Sequence, residues 1–261
     1  MKTFILILTF CGCMASANVF AQTPKAIEAD LLNAFKKINY WDEQKNSTGA
    51  DDSLNKANEV FSKKLADYTV KYPFTINQPF NLLKKEHLDV CTSSDGLFRI
   101  YSWDTWLGGS MHIFENVFQY KVGNKTMSVF HPLKWGGEVV SYWFPKVYTL
   151  KAKDKTYYLG IYGGIFSTKD AGTGIQVFAI ENGRLNEDVK LIKTSTGLHS
   201  KLYYDYDFFS IVDIKFELRP TITFDAATQT IRLPLVDGKG KFTSKYITYK
   251  FTGQYFEKVK S

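Results

Sequence analysis

The sequence predicts a mainly β protein: a large antiparallel β-meander system, sandwich-like or partial-propeller-like, with an N-terminal α-helical pair packed on it. Three observations carry this. Apolar residues recur at spacings of three and four only before Pro73, the mark of amphipathic helices. From Ser94-Asp95-Gly96 to the end, β-branched and aromatic residues alternate with polar ones between short turn signals. The 261 residues hold 21 Phe and 16 Tyr but only 7 Pro, so rings are plentiful for half-buried sheet faces and strand breakers are few. The apolar share of 44% and charged share of 23% exclude a disordered chain, and no pattern fits collagen, a coiled coil or a multi-span membrane protein.

The chain opens with Lys2, the apolar run Phe4 to Phe10, and the small residues Ala15-Ser16-Ala17 and Ala21. This reads as a secretory signal over residues 1–21, cut after Ala21, because the run falls short of the about 20 apolar residues that span a bilayer. A lipoprotein leader acylated at Cys13 is the competing reading. Cleavage removes Lys2, lowering the net charge of +7 by one, and takes away Cys11 and Cys13. Cys91 then has no disulfide partner and is expected to be a buried, inert thiol.

Residues 22–95 form a helical segment and linker. Ile27, Leu31, Phe35 and Ile38 stripe a helix over 25–41, and Leu54, Ala57, Phe61, Leu65 and Tyr68 stripe a second over 53–71 with Asp52 as N-cap. Tyr72-Pro73 stops the second helix, and a helical turn is expected at 79–87. Residues 96–261 form the β region, packed with the helices as one globular unit. Strands are expected at 97–104, 112–122 and 125–131; at 146–153, 156–163, 174–181 and 184–193; and at 202–209, 212–218, 221–225, 229–236 and 244–259. Gly123-Asn124 and Asn182-Gly183 read as tight hairpin turns, and Asp237-Gly238-Lys239-Gly240 as a longer one. Pro220 and Pro234 mark edges or bulges, and Gly172-Thr173-Gly174 a turn between strands.

The endings Ile222-Thr223-Phe224-Asp225, Gln229-Thr230-Ile231 and Tyr249-Lys250-Phe251-Thr252-Gly253-Gln254-Tyr255-Phe256 resemble those of uncharacterised exported proteins of Bacteroidota. So do the Ala21-Gln22 junction and the stretch from Asp95 to Thr105. The resemblance implies an envelope or secreted location and no particular activity.

The densest polar and aromatic patch holds Arg99, Tyr101, Trp103, Asp104, Trp106 and His112, with Gly108-Gly109, Glu115 and Asn116 beside them. Period-two alternation sets Arg99, Tyr101 and Trp103 on one strand face and Phe98 and Ile100 on the other. Rings on a Gly-Gly loop suit stacking against a sugar or an aromatic side chain, with Asp104 or His112 as hydrogen-bonding partner. The competing reading closes this face with its own rings, Arg99 stacking on Tyr101 or Trp103. No HExxH or CxxC spacing supports a metal, and Asp104, His112 and Glu115 lack one that fixes geometry. No cofactor is expected. Asp205 and Asp207 share a strand face and are the candidate acid–base pair; a solvated edge competes. Scattered lysine pairs argue against nucleic acid, and the mature chain has no transmembrane helix. The expectation is an exported non-enzymatic binding or structural protein presenting an aromatic sheet face and the 104–112 loop to a glycan or protein. The alternatives are a secreted carbohydrate-active hydrolase using Asp and Glu, and an inhibitor of a foreign hydrolase.

Overall fold

The first helix starts where Thr23 Oγ1 accepts from the Ala26 amide at 3.2 Å and Pro24 takes the first helical position. The structure, a computed structural model, describes residues 22–133 and 141–259. Residues 1–21, on which the expected leader with Cys11 and Cys13 falls, lie outside the described residues. α1 (Pro24–Glu43) and α2 (Ala50–Lys71) bury the expected stripes, Ile27, Leu31, Phe35 and Ile38 against Leu54, Ala57, Phe61 and Leu65. Asp52 is not the N-cap of α2. That place falls to Gly49, whose left-handed backbone (φ 76°) lets the helix start earlier, with Asp51 and Asp52 in its first turn. Carboxylates there suit the free amides and the positive end of the helix. A 3₁₀ turn (Pro73–Asn77) and α3 (Asn81–Lys85) complete the helical part.

The strands are, in order, β1 (Asp89–Thr92), β2 (Phe98–Asp104), β3 (Phe114–Val122), β4 (Lys125–Phe130), β5 (Trp143–Lys151), β6 (Thr156–Ile165), β7 (Asp170–Glu181), β8 (Arg184–Asn186), β9 (Ile192–Thr194), β10 (Gly197–His199), β11 (Lys201–Asp207), β12 (Thr223–Asp225), β13 (Thr230–Val236), β14 (Phe242–Phe251) and β15 (Phe256–Lys258). They build three sheets. Sheet one runs β1-β2-β3-β4; sheet two runs β11-β7-β6-β5, with β8 on β7; sheet three runs β10-β9-β15-β14-β13-β12. Every pairing is antiparallel except β15 with β9. The molecule is thus mainly β, several antiparallel sheets with two N-terminal helices packed on them.

The sheets stack as layers. The helices cover one face of sheet one, through Tyr101, Trp103 and Val117. Its other face, Phe98, Ile100 and Phe118, meets Phe144, Tyr158, Tyr162 and Phe178 of sheet two. The far face of sheet two, Leu159, Ile161, Ile175 and Val177, packs on Ile192, Ile231, Leu233 and Phe256 of sheet three. Strands covered on both faces bury consecutive residues in place of alternate ones, as β2 and β7 do.

Several expected elements are corrected. The stretch 212–218 is no strand: it runs into a 3₁₀ turn at Phe216–Leu218, following another at Phe208–Ser210. The stretches 184–193 and 244–259 each break in two, and β1 and β10 are additional strands. β1 lies inside the segment assigned to the helices, yet pairs with β2. Gly172-Thr173-Gly174 sits within β7 and is not a turn. Pro220 precedes β12 and lies outside any strand, whereas Pro234 stands at a register shift in β13. The turns at Gly123-Asn124 and Asn182-Gly183 close two-residue hairpins. In the second both residues have positive φ (51° and 76°), as a type I′ turn demands.

Candidate functional site

The structure divides the six residues of the sequence-level patch. Arg99, Tyr101 and Trp103 point from β2 beneath the helices and are almost wholly buried, with Trp103 at 1% exposure. Trp103 meets Phe61 edge to face, ring centres 5.0 Å apart, and its Nε1 donates to Asn58 Oδ1 at 3.2 Å. Arg99 lies over the rings of Phe80 and Tyr101 and donates to the Thr75 carbonyl at 2.5 Å. Gln119 ties Tyr101, Thr69 and Thr75 into the same buried network. These three residues therefore fix sheet one to the helices and offer no surface to a ligand. Nearby Cys91 is buried too; its Sγ donates to the Phe144 carbonyl.

Asp104, Trp106 and His112 do come together at the surface. Asp104 hydrogen-bonds His112 Nδ1 with one carboxylate oxygen and accepts from the Trp106 amide with the other, at 2.9 Å. That second bond holds Trp106 in a left-handed conformation (φ 57°), 36% exposed and edge-on to the His112 ring. Burial raises the Asp104 carboxyl, and its bonds to His112 and the Trp106 amide pull it back down. The His112 amide bonds the Ile165 carbonyl at 3.0 Å, seating this loop on the end of β6.

From there aromatic contacts continue. His112 stacks on Phe114, and Phe114 meets Trp143 at 4.9 Å. Tyr142 packs on Tyr162 at 4.5 Å, Tyr162 stacks on Tyr203, and Phe166 meets Tyr203 edge to face. Glycines make this possible. A Cβ on Gly163 would stand 2.5 Å from the Trp143 ring, on Gly172 2.1 Å from Tyr203, and on Gly174 2.2 Å from Tyr162. The rings lie flat on bare backbone.

Where sheets one and two part, this band borders a cleft of about 320 Å³. Phe114, Phe118 and Tyr142 supply its apolar wall, and Glu115, Asn116, His131, Gln176, Glu187 and Lys201 its polar groups. Ser102 and Asn116 hold the approach to β5 in place. Ser102 Oγ accepts from the Phe144 amide at 3.0 Å, and Asn116 Nδ2 donates to the Tyr142 carbonyl at 2.8 Å. His131 Nε2 lies 2.8 Å from Glu187 Oε1, and Gln176 Nε2 donates to the Glu187 carbonyl. Sequence reasoning missed Tyr142, Trp143 and Gln176. The signal was there in Tyr142-Trp143-Phe144 and in the glycines of β6 and β7.

Two carboxylates line the cleft, Glu115 and Glu187. Glu187 is engaged by His131, while alternation along β3 sets Glu115 on the face of Val117 and Gln119, so that it also lines the space under α2. Asp205 and Asp207 lie on β11 at the edge of sheet two, Asp205 bonded to Tyr203 and Asp207 capping a 3₁₀ turn 3.7 Å from Lys169. Among the described residues no three metal-ligating side chains cluster, and no helix is long and apolar enough to cross a membrane. The chain matches no family model, no curated protein and no solved structure.

Proposed function

We propose that this is an exported, non-enzymatic binding protein of the bacterial envelope or exterior, which holds a glycan along the aromatic band and in the adjoining cleft. The observation that carries this reading is the band itself. Trp106, His112, Phe114 and Trp143 form one partly exposed run of rings and Tyr142 and Tyr203 another, and Phe114 of the first and Tyr142 of the second both line the cleft beside amide, carboxylate and ammonium groups. A sugar has apolar C–H faces and a rim of hydroxyls that donate and accept. Flat rings match the faces, while Asn116, Gln176, Glu187 and Lys201 match the rim. Rings held on glycine-paved strands lose little freedom on contact, which favours affinity. The leader pattern and the resemblance to exported proteins support the location.

Screening soluble polysaccharides and oligosaccharide arrays against the chain tests this. A binding glycan should lose about tenfold or more in affinity with Trp143→Ala or Tyr142→Ala, as expected for central aromatic contacts. Affinity unchanged in both variants, or no glycan bound by a correctly folded protein, would refute the proposal. Release of reducing ends from a bound glycan would favour the hydrolase reading.

A further inference from the structure

A second recess of about 400 Å³ lies between α2 and the strands β3 and β4, and shares Glu115, Pro132 and Leu133 with the first cleft. Glu115 stands at it. The residue is 8% exposed, and its Oε2 has no hydrogen-bond partner among the described residues. A buried carboxylate oxygen without a donor is costly, so such groups call for an explanation.

We propose that this recess binds a protonated primary amine with a short apolar body, the ammonium meeting Glu115 and the body lying against Leu107, Phe130 and Leu133. The rest of the wall supports that chemistry. Asp52, Glu59 and Glu115 set three carboxylates against one ammonium, Lys56, which Glu59 already engages at 2.6 Å. Asn58 brings no free donor, since its amide gives both bonds to the Leu54 and Thr105 carbonyls. Asn55 at the mouth spends an amide hydrogen on the Asp51 carbonyl. What remains is acceptor-rich, which repels anions and suits the three donors of an ammonium. A metal ion is less well served, because the described residues hold no cluster of three ligating side chains. Burial pushes the Glu115 carboxyl up to about 7, with the Leu133 amide pulling the other way, and a cation bound there would restore the charged form.

The probes are hexylamine and its neutral counterpart 1-hexanol, titrated calorimetrically into the full chain at pH 7.5. Hexylamine should bind saturably and hexanol about tenfold more weakly or worse. Glu115→Gln should weaken hexylamine about tenfold or more. Asn55→Lys, on an exposed turn of α2, should do the same by placing a cation at the mouth, and it keeps the test decisive if the buried substitution disturbs folding. No saturable amine binding, equal affinity for the alcohol, or unchanged binding in Asn55→Lys would overturn the proposal. Tyr142→Ala should leave amine binding unchanged, so the fate of the glycan cleft is read separately.

Discussion

Glu115 makes a prediction about stability that needs no ligand. In the unfolded chain its carboxyl titrates near the ordinary value of 4.5, whereas burial raises it to about 7 in the native protein. Between these values the native state holds the proton more tightly than the unfolded state does. Stability therefore falls as pH rises through that window. At about 1.4 kcal/mol for each pH unit, the gap is worth about 3 kcal/mol. The contribution is fully present below pH 4.5 and lost above pH 7. Other groups titrate in the same range, so the measurement is a difference. Urea unfolding of the wild type and of Glu115→Gln, followed by tryptophan fluorescence, should be compared at pH 4.5 and pH 8. The amide adds some constant offset, but it does not ionise. The variant should therefore gain about 3 kcal/mol on the wild type between the two pH values. Parallel pH profiles would show that the native carboxyl is solvated or already paired, and would refute the reasoning.

Three further outcomes follow from burial. Trp103→Ala should cost about 3–5 kcal/mol, as large core truncations do, whereas Trp106→Ala on its exposed loop should cost about 0.5 kcal/mol or less; equal losses in chemical denaturation would contradict the division of the patch. Cys91, with its thiol pushed up to about 12 by burial, should react with a thiol reagent only at the rate of unfolding, and rapid labelling of the native protein would oppose this. Gly174→Ala should destabilise by about 1–3 kcal/mol or more, because its Cβ would meet the Tyr162 ring at 2.2 Å and the Leu202 carbonyl at 2.6 Å; an unchanged melting temperature would show that the rings shift freely.

The helices were legible because each carries one apolar stripe and buries one face, which the 3.6-residue period reveals directly. The hairpins at Gly123-Asn124 and Asn182-Gly183 were legible because their geometry depends on residues tolerant of positive φ. What failed depends on contacts distant in sequence. β9 and β10 leave the neighbours they follow and join sheet three, while β11 joins sheet two. No local pattern specifies that exchange. The stretch 212–218 alternates like a strand, yet no sheet edge receives it, and Phe216 and Leu218 stay exposed. Gly172 and Gly174 read as turn residues because glycine punctuates most strands; here they make room for rings that cross from neighbouring strands.

Of the two readings of the patch, the face closed by its own rings describes Arg99, Tyr101 and Trp103, with Arg99 lying over Tyr101. These residues share a face, and the helical stripes, which had to bury themselves against something, cover it. The same layering decides where ligands can bind. With helices on one side of sheet one and sheet three beyond sheet two, both middle sheets have both faces covered along their centres. Strand faces there are core, so contact surface on these sheets arises where layers part. One such place is the end of sheet one carrying Asp104 and Phe114, where the cleft opens toward sheet two and the recess beside Glu115 toward α2. Phe114, on which His112 stacks, lines the first and Glu115 lines both, because β3 starts between layers. Only half of the patch named from the sequence reaches that end, and it is the half that remains available for contact.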